Sequence, residues 1–217
     1  MGGKLIPGAG PVTYSNIHTI ESNLKKALPS TVPFFIIGSA GKKEIASDLD
    51  ALIDINLLMS ALCVSTLADA KSKLRDLFIS QGLYSILNGI SVHVGIENGN
   101  GVSQCDLMIV ENACSIAALH THDYSADSTM NGGTLHAMWA DLLKLSNPHL
   151  KISPYKGLVV RETNELISSS KDVIARAIID NSASAIDISS ITSLIAALRP
   201  YPDKLNFIKE KYINNAN

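Results

Sequence analysis

Apolar positions first recur at helical spacing from Tyr14 to Leu28, through Ile17, Ile20, Leu24, Ala27 and Leu28. Pro29 ends that helix. The run Val32 to Ile37 is short and uniformly apolar, which predicts a buried strand stopping at Gly38-Ser39. From Asp48 to Leu57 the pattern alternates. Asp48, Asp50, Leu52 and Asp54 fall on one side, and Leu49, Ala51, Ile53 and Ile55 on the other, as in a half-buried strand. Leu67, Ala70, Leu74, Leu77 and Phe78 form the stripe of a helix over Thr66 to Gln81, stopped by Gly82. Strands follow at Ile90 to Ile96 and Gln104 to Val110, joined by the turn signal Asn98-Gly99-Asn100-Gly101.

The second half changes character. Residues 113–155 hold His120, His122, His136 and His149, together with Trp139. From Thr163 the spacing predicts helices. One runs through Leu166, Ile167, Val173, Ile174, Ala177 and Ile178; another runs from Ile188 to Leu198 and is stopped by Pro200 and Pro202. A last helix covers Lys204 to Ile213. The expected organisation is an irregular Gly/Pro-rich arm over 1–13, a core over 14–112, and a mainly helical part over 113–217 that packs on it. The fold class is α+β: a small mixed sheet with flanking helices and a C-terminal helical part.

Composition narrows the chemistry. The chain has 217 residues, 46% hydrophobic and 18% charged, enough for a folded core. Eighteen basic against 20 acidic residues leave a net charge of −2, so no global basic field holds a long nucleic acid by its phosphates. Cys63, Cys105 and Cys114 form no Cys-x-x-Cys pair, which argues for a reducing compartment. No run has the length of a membrane span or the pattern of a signal peptide. The expected location is the cytoplasm. Oligomeric state is left open, since the apolar C-terminal helices suit internal packing or a dimer.

The residues with chemical promise centre on Asp48 and Asp50. Two apart on a strand, their carboxylates point the same way, with Cα atoms roughly 6–7 Å apart. Such a pair suits hard cations, Mg2+ or Mn2+, which take oxygen ligands. A third ligand must come from another strand, and Asp106 opens one. Two ions about 3.5–4 Å apart clamp an in-line displacement at phosphorus. Gly38 lets a phosphate approach the backbone, Ser39 offers a hydroxyl, and Lys42 and Lys43 add charge. A short helix opening there would add its amides. The spacing is not that of a Walker A loop. Lys156 is a further candidate phosphate contact. Asp54, about 13 Å further along the strand, reads as structural. His93 reads as a sheet residue, and Met138 and Trp139 as core. His120 and His122 flank Thr121 and precede Asp123. Their rings can share a metal, but the favoured reading is a polar rim.

Strand, Gly-Ser, turn, Asp-x-Asp and a third Asp on a later strand resemble the DNA polymerase beta-like nucleotidyltransferase superfamily. More narrowly, Gly38-Ser-Ala-Gly-Lys-Lys-Glu-Ile-Ala-Ser-Asp-Leu-Asp is similar to bacteriophage-encoded members, as are Gln104-Cys-Asp-Leu-Met and Tyr155-Lys-Gly-Leu. Arg161 lies further from the glycine than the basic residue of that family does. The resemblance implies a metal-dependent transfer of a nucleoside monophosphate from a nucleoside triphosphate to an acceptor hydroxyl, releasing pyrophosphate. Asp48, Asp50 and Asp106 would hold the metals, and Gly38 and Ser39 the triphosphate. The acceptor would be an RNA end, a protein or a small molecule. The alternative is an inactive nucleotidyltransferase fold acting as a binding or regulatory, antitoxin-like protein.

Overall fold

The computed structural model describes residues 5–122 and 132–214. The chain divides into two compact units, 1–117 and 118–217. The architecture is α+β with a mixed sheet.

The first unit begins with two-residue strands β1 (Ala9–Gly10) and β2 (Val12–Thr13), then helix α1 (Ile17–Ala27). Next come β3 (Phe34–Ile37), β4 (Ile45–Ala46), β5 (Leu49–Asp54), helix α2 (Ile55–Leu62) and helix α3 (Leu67–Ser80). Strands β6 (Ser85–Asn88), β7 (Ser91–Glu97) and β8 (Val102–Val110) lead into α4 (Ala113–Leu119). The sheet order is β3-β5-β8-β7-β6, with β5 parallel to β8 and the other neighbours antiparallel.

Side-chain alternation sorts the sheet into two faces. Leu49, Ala51 and Ile53 of β5 bury against α1, α2 and α3, together with Val92, Val94 and Ile96 of β7 and Cys105, Leu107 and Ile109 of β8. Leu24, Leu74 and Phe78 supply the helical side of that core and are fully buried. Burial of these apolar groups dominates the stability of the unit. Asp50, His93, Gln104 and Asp106 project from the opposite face by the same period of two.

Three sequence expectations are corrected here. The alternating strand does not reach Leu57. Asp54 accepts hydrogen bonds from the Asn56 and Leu57 amides and so caps α2; that carboxylate satisfies two amides that otherwise lack partners, and the chain turns helical. Residues 5–13 are not irregular throughout: β1 runs parallel to the start of β8, and β2 pairs with β4. Residues 1–4 of that arm lie outside the described residues. Finally, β6 pairs with β7 where no strand was expected.

The second unit holds α5 (Gly132–Ser146), strands β9 (Leu150–Ser153), β10 (Gly157–Val160) and β11 (Leu166–Ser168), and helices α6 (Lys171–Ile178), α7 (Ile191–Ala197) and α8 (Pro202–Ile208). The three strands form an antiparallel sheet. Leu166 and Ile167, expected at the start of a helix, instead lie in β11, where Leu166 pairs with Val159 and Ser168 with Leu158 of β10. Pro202 does not merely stop a helix but starts α8, where its missing N–H costs nothing. The C-terminal end of α6 is held by Lys204, whose Nζ donates to the Ile178 and Ile179 carbonyls at 2.7 and 3.0 Å. No helix among the described residues is long and apolar enough to cross a membrane.

Candidate active site

The parallel pairing of β5 and β8 sets Asp50 directly opposite Asp106. Asp48 precedes β5 by one residue and so is two residues before Asp50. Directly opposed strand positions bring side chains of one face within contact range. Burial raises the Asp50 carboxyl to about 7, with the charges of Asp48 and Asp106 pushing the same way. Burial also raises Asp48; a hydrogen bond from the Ser47 hydroxyl at 2.9 Å opposes this, and the charge of Asp106 adds to the rise. No hydrogen-bond donor among the described residues reaches Asp50. It is a half-buried acid without a hydrogen bond, and only the charge of His93 works against the rise.

Asp106 is oriented instead. Its Oδ1 lies 2.6 Å from His93 Nδ1 and accepts a hydrogen bond from Gln104 Nε2 at 2.7 Å. Oδ2 accepts no hydrogen bond among the described residues. Gln104 is itself aimed: its Oε1 accepts the Leu5 and Ile6 amides at 2.9 and 3.1 Å, which turns its NH2 toward Asp106. The N-terminal segment thus supports the site. His93 sits opposite Asp106 on β7 and is buried. Its role here goes beyond the sheet residue expected. The signal was present in the sequence. The turn closes with the Asn98 amide bonding the Gly101 carbonyl, and counting back through that hairpin pairs residue 93 with residue 106.

Gly38 follows β3, whose last residue Ile37 pairs with Asp50. It has φ +71°, and a Cβ there would lie 3.0 Å from Asp50 Oδ2. The glycine lets the backbone pass over the carboxylate. No helix opens after it. The Lys42 and Lys43 amides both donate to the Ser39 carbonyl at 3.0 Å, which closes a single turn. The amides of Ser39, Ala40 and Gly41 have no acceptor among the described residues. Partial burial lowers the Lys42 ammonium. Asp54 is committed to capping α2.

Lys156 lies in the second unit, on the exposed turn between β9 and β10. Arg161 donates to the Pro148 and Leu150 carbonyls at 2.8 Å each and so holds the chain that enters β9. His120 and His122 come together with His136 of α5, all in the second unit. Asp123 lies outside the described residues.

The raised Asp50 carboxyl has a consequence for stability. A folded-state pKa above the unfolded value means that the folded protein holds this proton more tightly. The resulting stability is complete below the ordinary carboxylate range and is lost as pH rises through about 7. Asp50→Asn, neutral at every pH, should remove that loss. In calorimetry with chelator, the variant should melt close to the parent near about pH 4, where Asp50 is protonated. At about pH 8 it should be more stable by about 2–4 kcal/mol. Equal melting temperatures at about pH 8 would rule out the electrostatic strain.

No protein-family model matches the chain, and no curated protein is similar to it. Solved structures are. The Cid1 poly(U) polymerase with Mg and 3'-dATP bound aligns with 64% of this chain and 44% of its own, at 17% identity and a TM-score of 0.33. A cytoplasmic RNA terminal U-transferase aligns with 64% of this chain and 42% of its own, at 17% identity and a TM-score of 0.30. A further Cid1 structure, described for its RNA terminal uridylyl transferase activity, gives 64%, 43%, 18% identity and 0.31. The chain spans less than half the length of each of these proteins.

Proposed function

We propose that the protein is a metal-dependent nucleotidyltransferase that moves a nucleoside monophosphate from a nucleoside triphosphate to an acceptor hydroxyl. The observation that carries this reading is the β5–β8 register, which sets Asp50 against Asp106 with Asp48 alongside and a glycine turn over Asp50. The charge of Asp106 adds to the rise at Asp48, and the charges of Asp48 and Asp106 add to that at Asp50, so the cluster calls for a counter-charge. The donor set is all oxygen, Asp50 lacks a hydrogen-bond partner, and Asp106 keeps one oxygen uncommitted; these residues fit Mg2+ or Mn2+.

Asp48, Asp50 and Asp106 would hold the ions. The bound ions would supply charge neutralisation at the reacting phosphate and lower the pKa of the acceptor hydroxyl. His93 and Gln104 hold the Asp106 carboxylate in one orientation. The acceptor hydroxyl is positioned beside Asp106 and passes its proton toward that carboxylate or to solvent. Its oxygen bonds to the α-phosphorus as the bond to the β-phosphate oxygen breaks, and pyrophosphate leaves. The amides of Ser39, Ala40 and Gly41 and the Ser39 hydroxyl form a cradle for the leaving phosphates, with Lys42 and Lys43 adding positive charge. Most of the rate would come from positioning and fixed charge.

The test is to incubate the protein with each labelled nucleoside triphosphate and Mg2+ or Mn2+, and to measure pyrophosphate release and metal-dependent nucleotide binding. Release that requires the divalent ion is the expected result. Absence of both binding and release with all four nucleotides overturns the reading.

A further inference from the structure

His120, His122 and His136 come together within the second unit, and the carboxylate site makes no use of them. Helix α4 ends at Leu119, and the chain leaving it is non-helical over His120-Thr121-His122. The Thr121 amide donates to the Ala118 carbonyl at 3.3 Å, so His120 sits in a turn at the end of the helix. His136 comes from the second turn of α5. The ring centroids of His136 lie 4.8 Å from those of His120 and 4.9 Å from those of His122. One ligating nitrogen from each residue lies within 4.8 Å of the other two. Trp139, fully buried one turn further along α5, backs the cluster, with its ring centroid 4.5 Å from that of His136.

The hydrogen bonds around the rings add to the proximity. His120 Nε2 lies 2.9 Å from the Pro154 carbonyl, which can only accept. Nε2 therefore carries the hydrogen, and in the neutral ring Nδ1 is the lone-pair nitrogen. The Leu119 carbonyl accepts a hydrogen bond from the His136 ring. That bond must use Nδ1, because His136 Nε2 is buried and has no hydrogen-bond partner among the described residues. His136 thus has one N–H tied to a backbone carbonyl, while its buried Nε2 has no hydrogen-bond partner among the described residues. Metal-bound histidines are held in the same way, with the outer N–H on a carbonyl fixing the tautomer. A buried ring nitrogen with nothing to bond costs roughly 1–3 kcal/mol, which simple packing of these rings does not recover.

We propose that His120, His122 and His136 bind a zinc ion, tying the chain after α4 to the start of α5. Three imidazole nitrogens are borderline donors that favour zinc over the hard ions suited to the carboxylate site. Zinc–nitrogen bonds of about 2.0–2.1 Å put tetrahedral ligands about 3.3 Å apart. The donors must therefore close by at most about 1.5 Å from their present spacing, within reach of small side-chain rotations. The fourth position is open to water or an anion. Lys171 sits nearby, donating to the Thr121 carbonyl at 2.6 Å and lying 5.4 Å from the Trp139 ring centroid. Its charge favours an anionic fourth ligand such as hydroxide. This proposal stands independently of the nucleotidyl-transfer reading.

The experiment uses the full chain, stripped with chelator and titrated with Zn2+ alone in a calorimeter. Cobalt substitution is the second measurement. Expected are about one zinc per chain, the intense visible bands of tetrahedral Co2+, and an affinity that falls by about a hundredfold or more in His136→Gln. Asp50→Asn should keep full zinc binding, which separates this site from the carboxylates. The proposal is overturned if wild type binds no zinc, or if His136→Gln, shown folded by circular dichroism, binds it as tightly as wild type. If that variant does not fold, the cobalt spectrum of the wild type decides: weak octahedral bands reject the site.

Discussion

Asp106→Asn should lower metal-dependent pyrophosphate release by about a thousandfold or more while leaving the fold intact. The magnitude follows from what the residue is asked to do. A ligated ion supplies several kcal/mol of charge stabilisation at the reacting phosphate, and each 1.36 kcal/mol is about a factor of ten in rate. Asn keeps the shape and one carbonyl oxygen but loses the negative charge. The fold should survive because His93 and Gln104 can still bond the amide, although Gln104 would then offer its NH2 to a neutral oxygen. Asp48→Asn and Asp50→Asn should show losses of similar size, and a double variant should lose little more than a single one, since the three act as a unit. Steady-state pyrophosphate release is the measurement, with circular dichroism to confirm folding. Activity within tenfold of wild type in all three single variants would remove these carboxylates from the mechanism.

The second large effect is on stability, in the other unit. Gly157→Ala should destabilise the protein by about 2–4 kcal/mol. Gly157 opens β10 with φ +101°, which side chains rarely adopt. An added Cβ would lie 2.5 Å from the Ser168 carbonyl oxygen and 2.9 Å from the Ser169 Cα. Both are backbone atoms and cannot rotate away, so the β10–β11 pairing must open. For a chain of this size the melting temperature should fall by roughly 5–15 °C. Gly82→Ala makes the control: Gly82 also has positive φ, +80°, but nothing lies within 4 Å of its added Cβ. It should carry only the backbone cost, about 1 kcal/mol. Equal melting temperatures for the two variants would show that the contact with Ser168 is not tight.

How much of this was legible beforehand can be judged residue by residue. Asp48 and Asp50 stood out because the strand period puts them on one face, and that period is a local property of the chain. The helical stripes of α1 and α3 were equally local, as were the hairpin turn at 98–101 and the strands on either side of it. The failures have particular causes. Ile55 continued an alternating pattern, yet the Asp54 cap diverts the chain into α2, since a side-chain bond to two amides outweighs a weak strand tendency. Leu166 and Ile167 are apolar at a spacing that a helix or a strand can use. Pairing with β10 decides between them, and that partner lies outside any local window.

The opposition of Asp50 and Asp106 spans 56 positions and rests on parallel pairing across a crossover, which no short-range signal specifies. The same holds for the threading of Leu5 and Ile6 onto Gln104, and for the meeting of His136 with His120 and His122. By itself the sequence determined which residues could carry charge, which face the central strands would present, and the helical stripes of α1 and α3, because those depend on neighbours along the chain. Tertiary structure alone decided which acids face one another, which histidine aims them, and which imidazoles converge. Those depend on register and packing between segments far apart in the chain, and only the folded core enforces them.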